Sequence, residues 1–166
     1  MEPLVFARAS ILAAALAVAP GLGQAHGEGH KTRVDYAKAR EMPFGKAADP
    51  AKAARTIQVE MADNMRFAPV EISVNRGDTV RFVATNKGAV MHEMVLGTMD
   101  DLRQHAEMMR KHPGMEHDEP YMLHVPPGKV GEMGWRFTKP GTFHYGCLVP
   151  GHFEAGMVGK VVVREK

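Results

Sequence analysis

The chain has 166 residues, 45% of them hydrophobic and 24% charged, with a formal net charge of +2. That composition suits one soluble domain with a real core. A balance so near neutral, with no stripe of Lys and Arg, argues against nucleic acid as a partner. The single cysteine, Cys147, rules out a disulfide framework within the chain.

In chain order, residues 1–25 read as a secretory signal peptide. Arg8 precedes the apolar run "ASILAAALAVAPGLG", and the small-x-small step Gly23-Gln24-Ala25 places cleavage after Ala25. The run is short and Ala-rich for a permanent membrane helix, so the mature protein is expected without a stable span. Loss of the peptide removes one acid, Glu2, and one base, Arg8, which leaves the net charge unchanged. Residues 26–54 are polar and poor in β-branched side chains, and are expected to form a flexible or loosely docked His-containing arm. From residue 55 to 166 the pattern is that of an all-β domain. Short β-rich runs at 56–61, 70–75, 79–86, 92–97, 131–137, 141–147 and 159–165 alternate with Pro, Gly and Asn turns. Such spacing predicts an antiparallel sandwich or barrel.

A Met- and His-rich insertion over about 98–124 interrupts the strands. Its first part, 98–114, reads as a helix capped by Thr98, supported by Asp101 three residues on, and stopped at Pro113-Gly114. Leu102, Ala106 and Met109 make one stripe fit to pack on a sheet, and His105, Met108 and His112 make a neighbouring one.

The chemistry concentrates in "YGCLVPGHFEAGMVG". Cys147, His152 and Met157 stand at C-x4-H-x4-M spacing, with Pro150-Gly151 turning the chain between the first two. An unpaired thiol outside the cytoplasm is open to oxidation unless it is buried, paired between chains or bound to metal. A thiolate, two imidazoles and a weak thioether make the blue-copper type of electron-transfer site. That set needs a second histidine, and His92, opening a predicted strand, is the candidate. Strand alternation turns Phe143, Tyr145 and Cys147 to one face and His144 to the other. Structural zinc takes four strong ligands and has no use for a thioether, which favours copper.

"PGTFHYGCLVPGHFEAGMVGKVVV" resembles the C-terminal ligand loop of the cupredoxins, the plastocyanin/azurin superfamily. "VEISVNRGDTVRFVATNKGAVMHEMVLG" is similar to the strand pair that leads to their first histidine. The resemblance covers 56–165 and implies a Greek-key β-sandwich with one type 1 copper site, its metal ligands His92, Cys147, His152 and Met157. Within the superfamily the chain looks most like exported bacterial copper-tolerance cupredoxins of the CopI type. This implies a periplasmic protein that binds copper and cycles Cu(I)/Cu(II). The alternatives are an electron-transfer shuttle between respiratory partners, which needs no Met/His tract, and a copper chaperone, which delivers the metal to an acceptor protein. Multicopper oxidases resemble chains with several such domains and His-x-His pairs; this chain has one domain and no such pair, so no enzyme activity is expected. Accessory copper ligands are sought among His105, Met108, His112, Met115 and His117 of the tract. Two more, His26 and His30, lie at the new N-terminus, where cleavage would present an α-amine beside an imidazole.

Overall fold

A computed structural model describes residues 34–113, 115 and 118–166. The expected signal peptide over 1–25, together with His26, His30 and His117, lies outside the described residues.

Ten strands form two five-stranded sheets that face one another. In chain order they are β1 (Lys46–Ala47), β2 (Arg55–Ala62), β3 (Arg66–Ala68), β4 (Glu71–Asn75), β5 (Thr79–Asn86) and β6 (His92–Gly97), followed by helix α1 (Met99–Lys111). Then come β7 (Met122–Val125), β8 (Val130–Arg136), β9 (Gly141–Gly146) and β10 (Val158–Arg164). One sheet has the order β1-β8-β5-β2-β3 and the other β4-β10-β9-β6-β7. The sandwich is not wholly antiparallel, because β2 pairs with β5 and β10 with β4 in parallel. The chain leaves the first sheet after β3, runs through β4 in the second, and returns as β5 in the direction of β2.

Alternation builds the core. β5 buries every second residue, Val80, Phe82, Ala84 and Asn86, and β10 likewise buries Gly159, Val161 and Val163. Both sets face the interior with Trp135, Phe137 and Tyr145, all of them 1% exposed or less. β6 differs in being buried on both faces along its whole length. Its inner residues Met94 and Leu96 join the main core, while Val95 joins Leu102, Ala106 and Met109 of α1 in a second cluster. The helix stripe expected from the sequence is thus the one that packs. Thr98 and Asp101 form the capping box, each side chain accepting from the other's backbone N–H.

Two expectations are corrected. The second half of the supposed flexible arm is docked: β1 pairs with β8, and Phe44 is buried and stacked on Trp135 at 5.2 Å. The Trp135 indole N–H donates to the Phe44 carbonyl at 2.8 Å, and the Thr138 hydroxyl donates to Glu41. Gly134 permits this approach, since a Cβ there would lie 2.1 Å from the Ala48 carbonyl oxygen. Burial of a Phe side chain contributes about 1.5–3 kcal/mol, which outweighs the polar composition that suggested an arm. Second, the insertion expected over about 98–124 ends in a strand: β7 (Met122–Val125) pairs antiparallel with β6.

Candidate metal centre

Three segments meet at one end of the sandwich. His92 is the first residue of β6 and is fully buried. Cys147 immediately follows β9, also fully buried, with its side chain on the inward face that Phe143 and Tyr145 share. His152 comes from the turn beyond and is half buried. Their donor atoms lie within 4.8 Å of one another. Cys147 Sγ stands 3.2 Å from His152 Nδ1 and 3.9 Å from His92 Nδ1. The imidazole rings are 5.0 Å apart, centroid to centroid.

The ligand loop is closed by its own backbone. Cys147 N–H donates to the Met157 carbonyl at 3.1 Å, and Met157 N–H to the His152 carbonyl at 3.0 Å. His152 N–H donates to Val149 at 3.0 Å, which makes the turn that Pro150-Gly151 announces. Met157 is fully buried in the same core cluster as Cys147. From outside, Arg66 donates to the Ala155 carbonyl at 2.8 Å and pins the far side of the loop.

The hydrogen bonds around the trio prepare it for a cation. The Glu93 N–H donates to Cys147 Sγ at 3.3 Å. Burial pushes the Cys147 thiol up to about 11, against the opposing pull of the Glu93 and Val149 N–H groups. Burial, and then the neighbouring His92, lowers the pKa of His152, which keeps that imidazole neutral with a lone pair to offer. His92 uses its other nitrogen, Nε2, to meet Asp63 Oδ1 at 3.1 Å. Asp63 is held ionised first by the N–H of Ala89, which donates to it at 2.7 Å, and then by His92. A carboxylate accepts only, so the His92 proton sits on Nε2 and Nδ1 faces the thiol with its lone pair.

Asp63 and Asn86 escaped the sequence reading. Asn86 is fully buried; it donates to the Val90 and Val125 carbonyls at 2.7 and 2.8 Å and accepts from Gly88 N–H at 2.8 Å. It thereby shapes the loop before His92. Gly88 is required there because a Cβ would stand 1.9 Å from Asp63 Oδ1. Asp63 lies 29 residues before His92 in a β2–β3 turn, and nothing in its local sequence distinguishes it from a solvated turn acid.

The other candidates are placed elsewhere. His144 is half buried on β9, with its pKa held low by burial and then by Lys160 and Arg103. Met108 and His112 line one shallow cleft of about 250 Å³ with Gln104, Glu107 and Lys111. His105 lies on the same helix, and Met115 is exposed beyond it. Among the described residues none of these histidines joins the buried trio.

One thiolate and two imidazoles at these separations fit the strong donors of a type 1 copper site. Comparison with known proteins agrees. Residues 53–164 match the family model of copper binding proteins, plastocyanin/azurin family. The chain is 52% identical over 142 residues to the copper-resistant cuproprotein CopI of Rubrivivax gelatinosus, covering 86% of this chain and 85% of that protein. It is 35% identical over 153 residues to the copper-resistant cuproprotein CopI of Pseudomonas aeruginosa, covering 73% of this chain and 82% of that one. Among solved structures, auracyanin B superposes with a TM-score of 0.58 at 26% identity, covering 75% of this chain and 99% of that one. With its sandwich, its buried Cys-His-His trio and these relatives, the chain belongs to the plastocyanin/azurin family of copper-binding proteins and carries a type 1 copper site.

Proposed function

We propose that the protein is an exported, periplasmic copper-tolerance protein that holds one copper ion and passes it between Cu(I) and Cu(II) without turning over a substrate. His92, Cys147 and His152 would supply the three strong donors to copper, and Met157 a weak thioether donor. The observation that carries this reading is the trio itself, two of its members fully buried and all donor atoms already within 4.8 Å. Copper bound to such a set supplies one-electron chemistry. The chain's contribution is rigidity. Asp63 fixes the ring of His92, the closed loop fixes Cys147 and His152, and the surrounding core excludes water from the thiol. Donors that do not move favour neither oxidation state by relaxation. Because the thiol is neutral before the metal enters, uptake releases its proton.

The copper resistance for which the CopI relatives are named supports tolerance as the biological role. The test has two arms. Copper-loaded protein should show an intense thiolate-to-Cu(II) band in the visible, and Cys147→Ala should abolish it. A folded, copper-loaded wild type without that band would overturn the assignment of the site. A deletion strain should become copper-sensitive with normal respiration; a respiratory defect at low copper would instead make the protein an electron shuttle.

A further inference from the structure

Glu93 follows His92 in β6 and so sends its side chain to the opposite side of the sheet from the metal centre. Its backbone stays in contact with that centre, since the Glu93 N–H donates to Cys147 Sγ at 3.3 Å. By the length of a glutamate side chain, the carboxylate of the same residue lies within about 8 Å of the sulfur. It is also shut away from water, with the residue only 6% exposed. One oxygen, Oε1, meets His124 Nδ1 of the paired strand β7 at 3.0 Å. The other, Oε2, is enclosed and has no hydrogen-bond partner among the described residues. A buried carboxylate with an unmet oxygen costs free energy. Glutamine would accept from His124 equally well, so the pairing of β6 with β7 does not require the charge.

The charge acts on the inner face. Burial raises the Cys147 thiol most, and the one side-chain charge that adds to it is that of Glu93. At His152, where burial and then His92 lower the pKa, Glu93 opposes them ahead of Asp63 and Glu154. Asp63 touches His92 directly, but its side chain is 42% exposed, and water and salt screen it. Between the Glu93 carboxylate and the sulfur lies packed protein of low dielectric, which weakens the field far less.

We propose that Glu93 sets the electrostatic surroundings of the copper centre and biases it toward Cu(II). The inference rests on the type 1 reading of the site and adds which oxidation state the chain's own charges favour. A thiolate with Cu(II) carries a net positive charge, and a thiolate with Cu(I) carries none. A fixed negative charge nearby favours the first over the second, which lowers the reduction potential. Glu93 needs no contact with the metal to do this.

The experiment measures the reduction potential of the copper-loaded full chain, alongside Cu(I) and Cu(II) affinities by chelator competition. Glu93→Gln removes the charge and keeps the shape. It should lower the ratio of Cu(II) to Cu(I) affinity on the order of tenfold, an upward shift of about 59 mV for a one-electron couple. The shift should persist at high salt, because ions do not reach the enclosed carboxylate. The intense band should keep its position, since no donor changes. Glu93→Asp keeps the charge and should stay closer to wild type than Glu93→Gln does. Glu93→Met, neutral and of similar length, replaces Glu93→Gln if that variant does not fold. An unchanged potential in a folded neutral variant would overturn the proposal. So would an equal rise in Glu93→Asp, which would assign the effect to packing. Failure of the type 1 reading would show separately, as absence of the intense band from wild type.

Discussion

His92 and Glu93 are chain neighbours on one strand, yet β6 shows two different chemistries on its two faces. The inner face gathers soft and neutral donors: a thiol pushed up to about 11 by burial, a neutral His152, and His92 with its proton held away by Asp63. The outer face gathers hard charge, with a buried carboxylate and an exposed one on either side of His124. The inner donors are closed in by the ligand loop and the first sheet; the outer side chains stand beside an edge strand, where β7 ends the sheet. Burial makes the difference. On the inner face it favours an uncharged thiol that a metal must deprotonate.

The largest effect separating the two faces is on alkaline stability of the metal-free protein. The Cys147 thiol is raised from its usual 9.0 to about 11 on folding. A raised pKa means that the folded state holds the proton more tightly than the unfolded one. The stabilisation is complete below pH 9, the usual thiol value, and is lost as the pH climbs toward about 11. The loss is on the order of 2–3 kcal/mol. Tyr36, Tyr121 and Tyr145 are raised as well, each first by burial, and add their own loss at higher pH. Denaturant melts of wild type and Cys147→Ala across this range isolate the thiol: the two curves should converge as the pH rises. Parallel curves would mean that the inner face does not hold a neutral thiol. His124→Ala should leave the slope of the wild type untouched.

How far each face was legible depends on how local its signals are. Cys147, His152 and Met157 sit within one loop, and the spacing and the Pro-Gly turn announce it. His92 needed only the β-pattern that places it at a strand start. The helix stripe Leu102, Ala106 and Met109 was legible because its period is written in consecutive turns. The docking of residues 34–54 was not, because it rests on a two-residue strand and a single aromatic stack on Trp135, about ninety residues away. Asp63 and Glu93 were invisible for a related reason. Each is an ordinary acid in sequence; only the packing of the β2–β3 turn against the start of β6 brings Asp63 to a histidine, and only the pairing of β6 with β7 does so for Glu93. Composition drew attention to the tract's methionines. The fold instead sets His124 beside Glu93, a carboxylate that the tract's composition does not show.

A smaller effect tests what Asp63 does for the inner face. Asp63→Asn keeps the side-chain shape but removes the charge that fixes the His92 proton on Nε2. Loss of such a partner reduces metal affinity about 10- to 100-fold. Competition with a copper chelator should show that drop at the type 1 band. Gly88→Ala should reproduce it without touching a charge, because the new methyl occupies the place of Asp63 Oδ1. Equal affinity in both variants would mean that the backbone of β6 alone orients His92.

The smallest expected effect on stability concerns Met157, and here the readout is spectroscopic. Met157→Leu replaces a fully buried, unbranched side chain by a γ-branched one of similar volume, so the metal-free fold should lose less than about 1.5 kcal/mol. The strong donors remain, and the intense band should survive in the copper-loaded variant. In the proposed site Met157 would be the weak thioether donor, and such a donor tunes the potential of a type 1 site. The band should therefore shift in position and the reduction potential should move, with stoichiometry unchanged. An unaltered band and potential would make Met157 a core side chain whose backbone, through its bonds to Cys147 and His152, is its whole contribution to the site. The inner face would then be a three-donor centre.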